Sequence, residues 1–231
     1  MKKIFLFVAL ATISASAFAQ NIQTHYDFGD TRKCVTTTVE MFRPDKIGST
    51  FFFIDMNYNE GEMHGVTNAY WEISRAFTFK QGSSLAAHVE YDGGFFRTDG
   101  ALGLPINSAF LGGLENTWGW DNFNKTFTLQ ALFKTIQGKN DASFQLTAVW
   151  NTLWFDGKLS FNGFMDFWKE DNVAMTGEAT EYVWLTEPQL WYNFQNGMKG
   201  FSLGTEIEMS ANFSGNKGFM CNPTIAMKYS F

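Results

Sequence analysis

Counted back from the C-terminus in steps of two, Phe231, Tyr229, Met227, Ile225, Pro223, Cys221 and Phe219 fall on one face of an extended chain, and Ser230, Lys228, Ala226, Thr224, Asn222 and Met220 fall on the other. The same alternation sets Phe201, Leu203, Ile207, Met209 and Phe213 against Ser202, Glu206, Glu208, Ser210 and Asn212, and recurs from Phe144 to Trp154. Period two marks β-strands with one apolar face. These runs exceed ten residues, whereas a strand of a soluble domain averages about five or six. Their length suits a bilayer, which about nine to eleven tilted residues cross.

Applied to the whole chain, the pattern predicts an all-β fold, a single transmembrane antiparallel barrel. Twelve strands are expected at 21–28, 34–42, 50–58, 66–79, 84–92, 106–118, 125–137, 142–154, 158–169, 182–194, 200–213 and 219–231. An even number is what bacterial barrels favour. With both termini in the periplasm, the two longest connections, 93–105 and 170–181, lie outside, and short turns such as Phe155-Asp156-Gly157 lie inside. Trp118, Trp154, Tyr192 and Phe231 then gather at the periplasmic rim and Tyr58, Tyr91 and Trp184 toward the outer one, as interface girdles do. A secreted β-sandwich would use shorter strands and would need no continuous aromatic face.

Composition sharpens this picture. Phe 26, Trp 8 and Tyr 7 bring aromatics to 18% of 231 residues, while only 17% are charged, which excludes a disordered chain. Lys2 and Lys3, the apolar run from Ile4 to Ile13 and the Ala17-Phe18-Ala19 ending read as a secretory leader over 1–19, leaving 20–231 as the barrel. Loss of its two lysines takes the formal charge from −6 to −8, a sign opposed to nucleic-acid binding.

If the apolar face meets lipid, the other face lines the lumen. Carboxylates belong there, because hydrocarbon would leave them unsolvated. The predicted lining includes Glu40, Asp55, Glu72, Glu90, Asp166, Glu187, Glu206 and Glu208 with His88 and Lys228, and the aromatic residues Phe51, Phe53 and Trp168. Such walls can stack a planar ring and hydrogen-bond its edge, or the aromatics can simply fill a narrow barrel. Arg75 has the opposite parity to Glu72 and joins the lining only if a β-bulge intervenes. Pro188, inside the tenth strand, raises the same expectation of a bulge.

The successions Thr37-Thr38-Val39-Glu40-Met41-Phe42, Phe51-Phe52-Phe53-Ile54-Asp55-Met56-Asn57 and Tyr70-Trp71-Glu72-Ile73-Ser74-Arg75-Ala76-Phe77 resemble the early strands of the nucleoside-specific, Tsx-like outer-membrane channels. They are closer still to a set of short relatives of that group, a domain-of-unknown-function family. The resemblance implies a monomeric twelve-stranded barrel in the outer membrane whose narrow lumen passes small polar solutes, nucleosides among them, with Glu40, Asp55, Glu72 and Arg75 at the matching positions. The terminal Phe231 on an alternating strand looks like the signal read by the barrel-assembly machinery.

Two other classes make different demands on the residues. Barrel lipid hydrolases need Ser and His in hydrogen-bond reach. The chain has three histidines, with His64 in an expected outer loop and His25 and His88 facing inward, so no enzyme is expected. No metal and no cofactor are assigned. A plugged barrel serving as adhesin or scaffold stays as the alternative, although long outer loops, which would favour it, are missing from the sequence pattern. Cys34 and Cys221 have parities that put them on opposite faces, which predicts two free thiols.

Overall fold

A computed structural model of the chain describes residues 19–29, 32–98, 102–139 and 142–231. The leader expected over 1–19 therefore lies, apart from Ala19, outside the described residues. Among the described residues no helix is long and apolar enough to cross a membrane. The chain forms β1 (Ala19–Asp27), β2 (Val35–Asp45), β3 (Gly48–Tyr58), β4 (Val66–Thr78), β5 (Leu85–Arg97), β6 (Gly103–Trp120), β7 (Lys125–Ile136), β8 (Ser143–Trp154), β9 (Leu159–Val173), β10 (Ala179–Thr186), β11 (Gln189–Asn193), β12 (Phe201–Ala211) and β13 (Phe219–Ser230). From β1 to β10 each strand pairs antiparallel with its successor, and β1 closes the sheet on β13 from Asn21↔Ser230 to Asp27↔Thr224. Closure removes every free edge, which a membrane demands because no water can satisfy one.

β10 and β11 together make the tenth stave of a twelve-strand barrel, as both pair with β9 and with β12. The bulge expected at Pro188 is not there. Thr186↔Met165 and Gln189↔Asn162 keep one register across the gap, so only the ladder is interrupted, where Pro has no N–H to give. Gly163 faces this break at φ +156, and a Cβ there would lie 2.5 Å from the Glu187 carbonyl oxygen.

Two connections are shorter than the sequence suggests. The segment expected as a loop over 93–105 is mostly strand, with only 98–102 connecting β5 to β6. Gly93 and Gly94, which imitate a loop, sit at a bulge where β6 carries one residue more than β5 between Asp92↔Ala109 and Gly94↔Ile106. Likewise the polar run Lys169-Glu170-Asp171-Asn172 extends β9 to Val173, so the expected 170–181 loop shrinks to 174–178. Polar residues there reflect a strand that outruns the apolar band, not the end of pairing. The asymmetry between long and short connections is correspondingly weak.

The exterior is apolar where water-soluble proteins are not. Ile73, Val89, Phe110, Leu114, Phe133, Leu146, Leu203 and Met227 all point outward and are exposed. Outward aromatics stack at both rims: Trp118 on Phe127, Trp154 on Phe161 and Phe201 against Tyr229 near the termini, and Phe167 on Tyr182 and Trp184 on Phe219 at the far end. Buried apolar clusters inside the barrel are small, Ala109, Leu111 and Leu132 in one and Trp168, Val183 and Leu185 in the other. Polar side chains fill the remainder of the interior, so the usual distribution is inverted. Both cysteines are free, Cys34 buried and Cys221 exposed.

Candidate functional site

Register fixes which side chains enter the lumen. Asn21, Gln23, His25 and Asp27 of β1 are buried while Ile22 and Tyr26 are exposed, so odd positions of β1 point inward. Following partners around the sheet, Asn21↔Glu40, Glu40↔Phe53, Phe53↔Glu72 and Glu72↔Asp92 lie on that same face. The chain of pairs continues through Glu90↔Leu111, Leu111↔Lys134, Thr147↔Asp166, Gln189↔Glu206 and Ser202↔Lys228. Glu40, Phe51, Phe53, Asp55, Glu72, His88, Glu90, Asp166, Trp168, Glu206, Glu208 and Lys228 therefore face the interior, and Glu187, at the break between β10 and β11, has inward parity.

Arg75 does not. The β3–β4 register runs without a shift from Gly48↔Phe77 to Asn57↔Asn68, so no bulge reverses its parity and it points out of the barrel. There it donates to Thr50 Oγ1 at 3.0 Å and to Asp45 Oδ1 at 2.9 Å, with its guanidinium carbon 5.2 Å from the centre of the Phe77 ring. An arginine near a rim, paired and laid on an aromatic face, keeps its charge solvated.

Inside, polar groups form chains along the strands because same-face residues two apart are close enough to bond. One chain links Thr224 Oγ1, His25, Gln23, Asn21 and Glu40 at 3.2, 3.0, 2.9 and 2.9 Å. A second begins at Lys134, which donates to Gln145 at 2.7 Å, and passes through Thr147 to Asp166 at 3.1 and 2.5 Å. His88 bridges Glu115 at 2.7 Å and Glu90 at 3.0 Å. From the β1–β2 connection Arg32 reaches inward to Glu208 at 2.5 Å and Asp27 at 3.3 Å. Burial opposes its charge, yet Glu208 and then Asp27 hold its pKa above the ordinary arginine range. At the head of β2, burial first and the carboxylates of Glu60 and Asp27 after it push the Cys34 thiol up to about 11.

The chains leave the lumen uneven. The inward side chains of β1, Asn222, Thr224 and Ala226 of β13, and those around Lys134 and Asp166 are buried, whereas Glu40, Phe51, Phe53, Asp55, Tyr70, Glu72, Glu115, Gln130, Glu206 and Lys228 keep accessible surface. Accessible lining thus concentrates on β2–β4 and on the half of the barrel nearer the termini, where Phe42 and Val149 are exposed.

Aromatic lining is less available than expected. Lys134 Nζ covers Trp168, 4.5 Å from its ring centre, and Phe213 meets its edge. Trp191 is wholly buried beneath Lys228, 4.0 Å away. Phe51 and Phe53, tilted against each other at 5.9 Å, retain free surface.

Strand pairing also assembles a group that parity alone does not reveal. Carboxylate oxygens of Glu72, Glu90 and Asp92 lie within 4.8 Å of one another. The signal in the sequence was the Glu-x-Asp spacing on β5, but its juxtaposition with Glu72 depends on the β4–β5 register.

A family profile described as a domain of unknown function, DUF5020, matches residues 19–231. The chain belongs to that family. No curated protein matches the chain. Among solved structures it is similar to a loop L8 deletion mutant of the outer membrane protein OmpT of Vibrio cholerae, at 11% identity over 93% of this chain and 98% of that one, with a TM-score of 0.43. LpxR from Salmonella typhimurium gives 8% identity over 92% and 100% of the two chains and a TM-score of 0.46. The outer membrane protein Omp33 of Acinetobacter baumannii gives 13% over 93% and 97%, at 0.42. At these scores they add nothing to the topology that the ladders already show. A closed barrel with an apolar, girdled exterior and a polar interior is an integral outer-membrane protein, and this member of the family has that form.

Proposed function

We propose that this protein is a channel, not an enzyme, that passes small polar solutes across the outer membrane through a narrow acid-rich lumen. The observation that carries the reading is the accessible inner wall of β2–β4, where Glu40, Asp55 and Glu72 alternate with Phe51 and Phe53. Fixed carboxylates in a narrow low-dielectric tube are screened less than on an open surface, so cations and neutral solutes pass more readily than anions. Phe51 and Phe53 supply an apolar face for a ring-bearing solute, and the flanking carboxylates and Thr38 supply hydrogen-bond partners. A nucleoside has that chemistry, and its assignment rests on the resemblance of strands two to four to the nucleoside-specific group. The monomeric state of the channel rests on that same resemblance.

Single-channel recording of the purified barrel in planar bilayers tests this. A cation-selective reversal potential in a salt gradient is expected, and the triple substitution Glu40→Gln, Asp55→Asn, Glu72→Gln should reduce it. Phe53→Ala should weaken saturable block by nucleosides while leaving conductance. Anion selectivity in the wild type would overturn the channel's assigned lining. Absence of current would favour the plugged barrel, for which the buried polar chains along β1 and across Lys134 to Asp166 are the supporting observation.

A further inference from the structure

The acidic residues of the lumen are unequally neutralised. Glu208 and Asp27 share Arg32, and Glu115 takes His88. Glu72, Glu90 and Asp92 stand together with no lysine or arginine in ion-pair distance among the described residues, their single basic contact being His88 on Glu90. Glu72 commits one oxygen to the Tyr70 hydroxyl at 2.7 Å, and Glu90 commits one to His88. Each keeps an oxygen without a hydrogen-bond partner among the described residues.

Asp92 is the independent anomaly. It is 5% exposed, makes no side-chain hydrogen bond among the described residues, and its Oδ1 is shut off from solvent without a partner. An unmet buried carboxylate oxygen is unfavourable unless a cation or a proton meets it. Asp92 sits directly across the β4–β5 ladder from Glu72 and two positions along β5 from Glu90, so its oxygens turn toward theirs. Lys134, the other nearby base, is already held by Gln145 and by the Trp168 ring.

We infer that Glu72, Glu90 and Asp92 form a binding site for a hard divalent cation of the Ca²⁺ class inside the lumen. Three carboxylates supply only oxygen, the donor that Ca²⁺ and Mg²⁺ select over softer metals. Oxygens within 4.8 Å of one another can be spanned by one Ca²⁺ bonded at about 2.3–2.6 Å, with water completing a flexible shell. Mg²⁺ dehydrates reluctantly and prefers shorter, octahedral bonds, so it binds more weakly here. The inference stands on the geometry of the trio and does not depend on conduction.

Terbium luminescence tests it, since Tyr70 beside Glu72 is an aromatic donor to a bound Tb³⁺. Purified, folded barrel in detergent at neutral pH should give saturable emission on tyrosine excitation, displaced by Ca²⁺ at lower concentration than by Mg²⁺. Asp92→Asn and Glu72→Gln should each weaken Tb³⁺ at least tenfold, while Asp156→Asn, in an exposed turn, should leave it unchanged. Heat-modifiable gel mobility verifies folding. Should Asp92→Asn not fold, Glu90→Gln with calorimetric Ca²⁺ titration takes its place, with the same tenfold loss expected. No saturable emission from the wild type, as a proton-sharing trio would give, overturns the site, as does unaltered affinity in the variants. Binding without current would leave the site standing and remove the channel reading, and current without binding would do the reverse.

Discussion

The Arg32 guanidinium, carried on the β1–β2 connection, donates to Glu208 of β12 at 2.5 Å, tying the connection to a wall that lies beyond β1 and β13. Asn222 completes the group by donating to Glu208 Oε1 at 3.0 Å. Removing one partner from a largely buried pair leaves a charge unmet, which costs about 3–5 kcal/mol in the interior and less where water enters. Arg32 is 29% exposed, so Arg32→Ala should destabilise by about 2 kcal/mol once that screening is allowed for. Adding Glu208→Gln should recover part of the loss. Urea unfolding followed by tryptophan fluorescence measures both, and an unchanged midpoint would refute the tie.

Gly163 faces the proline break. With a Cβ there 2.5 Å from the Glu187 carbonyl oxygen and 2.9 Å from Pro188 Cα, at φ +156, Gly163→Ala should cost about 1–3 kcal/mol through backbone strain and overpacking. Gly157→Ala makes the comparison: its φ is +78, but no atom lies within 4 Å of the place its new methyl group would take, so its loss should be the smaller. Equal unfolding midpoints for the two variants would sink the steric account.

Because Arg75 points outward, Arg75→Gln should leave ion selectivity unaltered while Glu72→Gln shifts it. Reversal potentials of the two variants in one salt gradient decide the matter. A shift with Arg75→Gln as large as that with Glu72→Gln would mean that its charge reaches the lumen after all.

Orientation can be read by labelling. Met175 in the β9–β10 connection is 81% exposed and Phe155 in the β8–β9 turn is 74% exposed, so access is matched at opposite ends. On intact cells, in a background with both native cysteines replaced, a membrane-impermeant thiol reagent should label Met175→Cys and spare Phe155→Cys. The reverse pattern would invert the barrel.

Glu178 and Lys217 join two connections at the far rim at 2.6 Å. The Lys217 hydrogen bond, with Thr176 assisting, holds the Glu178 carboxyl below the usual carboxylate range. A depressed carboxyl contributes its tie above its ordinary pKa, and the tie is lost as pH falls through the lowered value. Spin labels on the two connections should therefore report constant mobility from about pH 8 to pH 5 and loosening only in acid below the ordinary glutamate pKa of about 4.3. Loosening that is complete by about pH 6, well above that ordinary value, would contradict the pair.

The period-two pattern by itself determined the class of fold, twelve staves and which residues face inward at almost every position, because a pleated strand must alternate and a barrel in lipid must sort the two faces by polarity. It determined the outward place of Trp118, Trp154 and Tyr192 for the same reason. Alternation could not tell where pairing stops: Gly93-Gly94 and the polar run 170–172 read as loops, since local residue character stands in for hydrogen bonds that only a neighbouring strand supplies. Arg75 and Pro188 each admitted a bulge, and the unbroken registers of β3–β4 and of β9 with β10 and β11 around those residues removed both. Which lumen groups meet is likewise a matter of register and reach. Lys134 covering Trp168, Arg32 reaching Glu208, and Glu72 brought opposite Asp92 all join residues far apart in the chain, whose distances are set by how the staves align and not by any spacing along one of them.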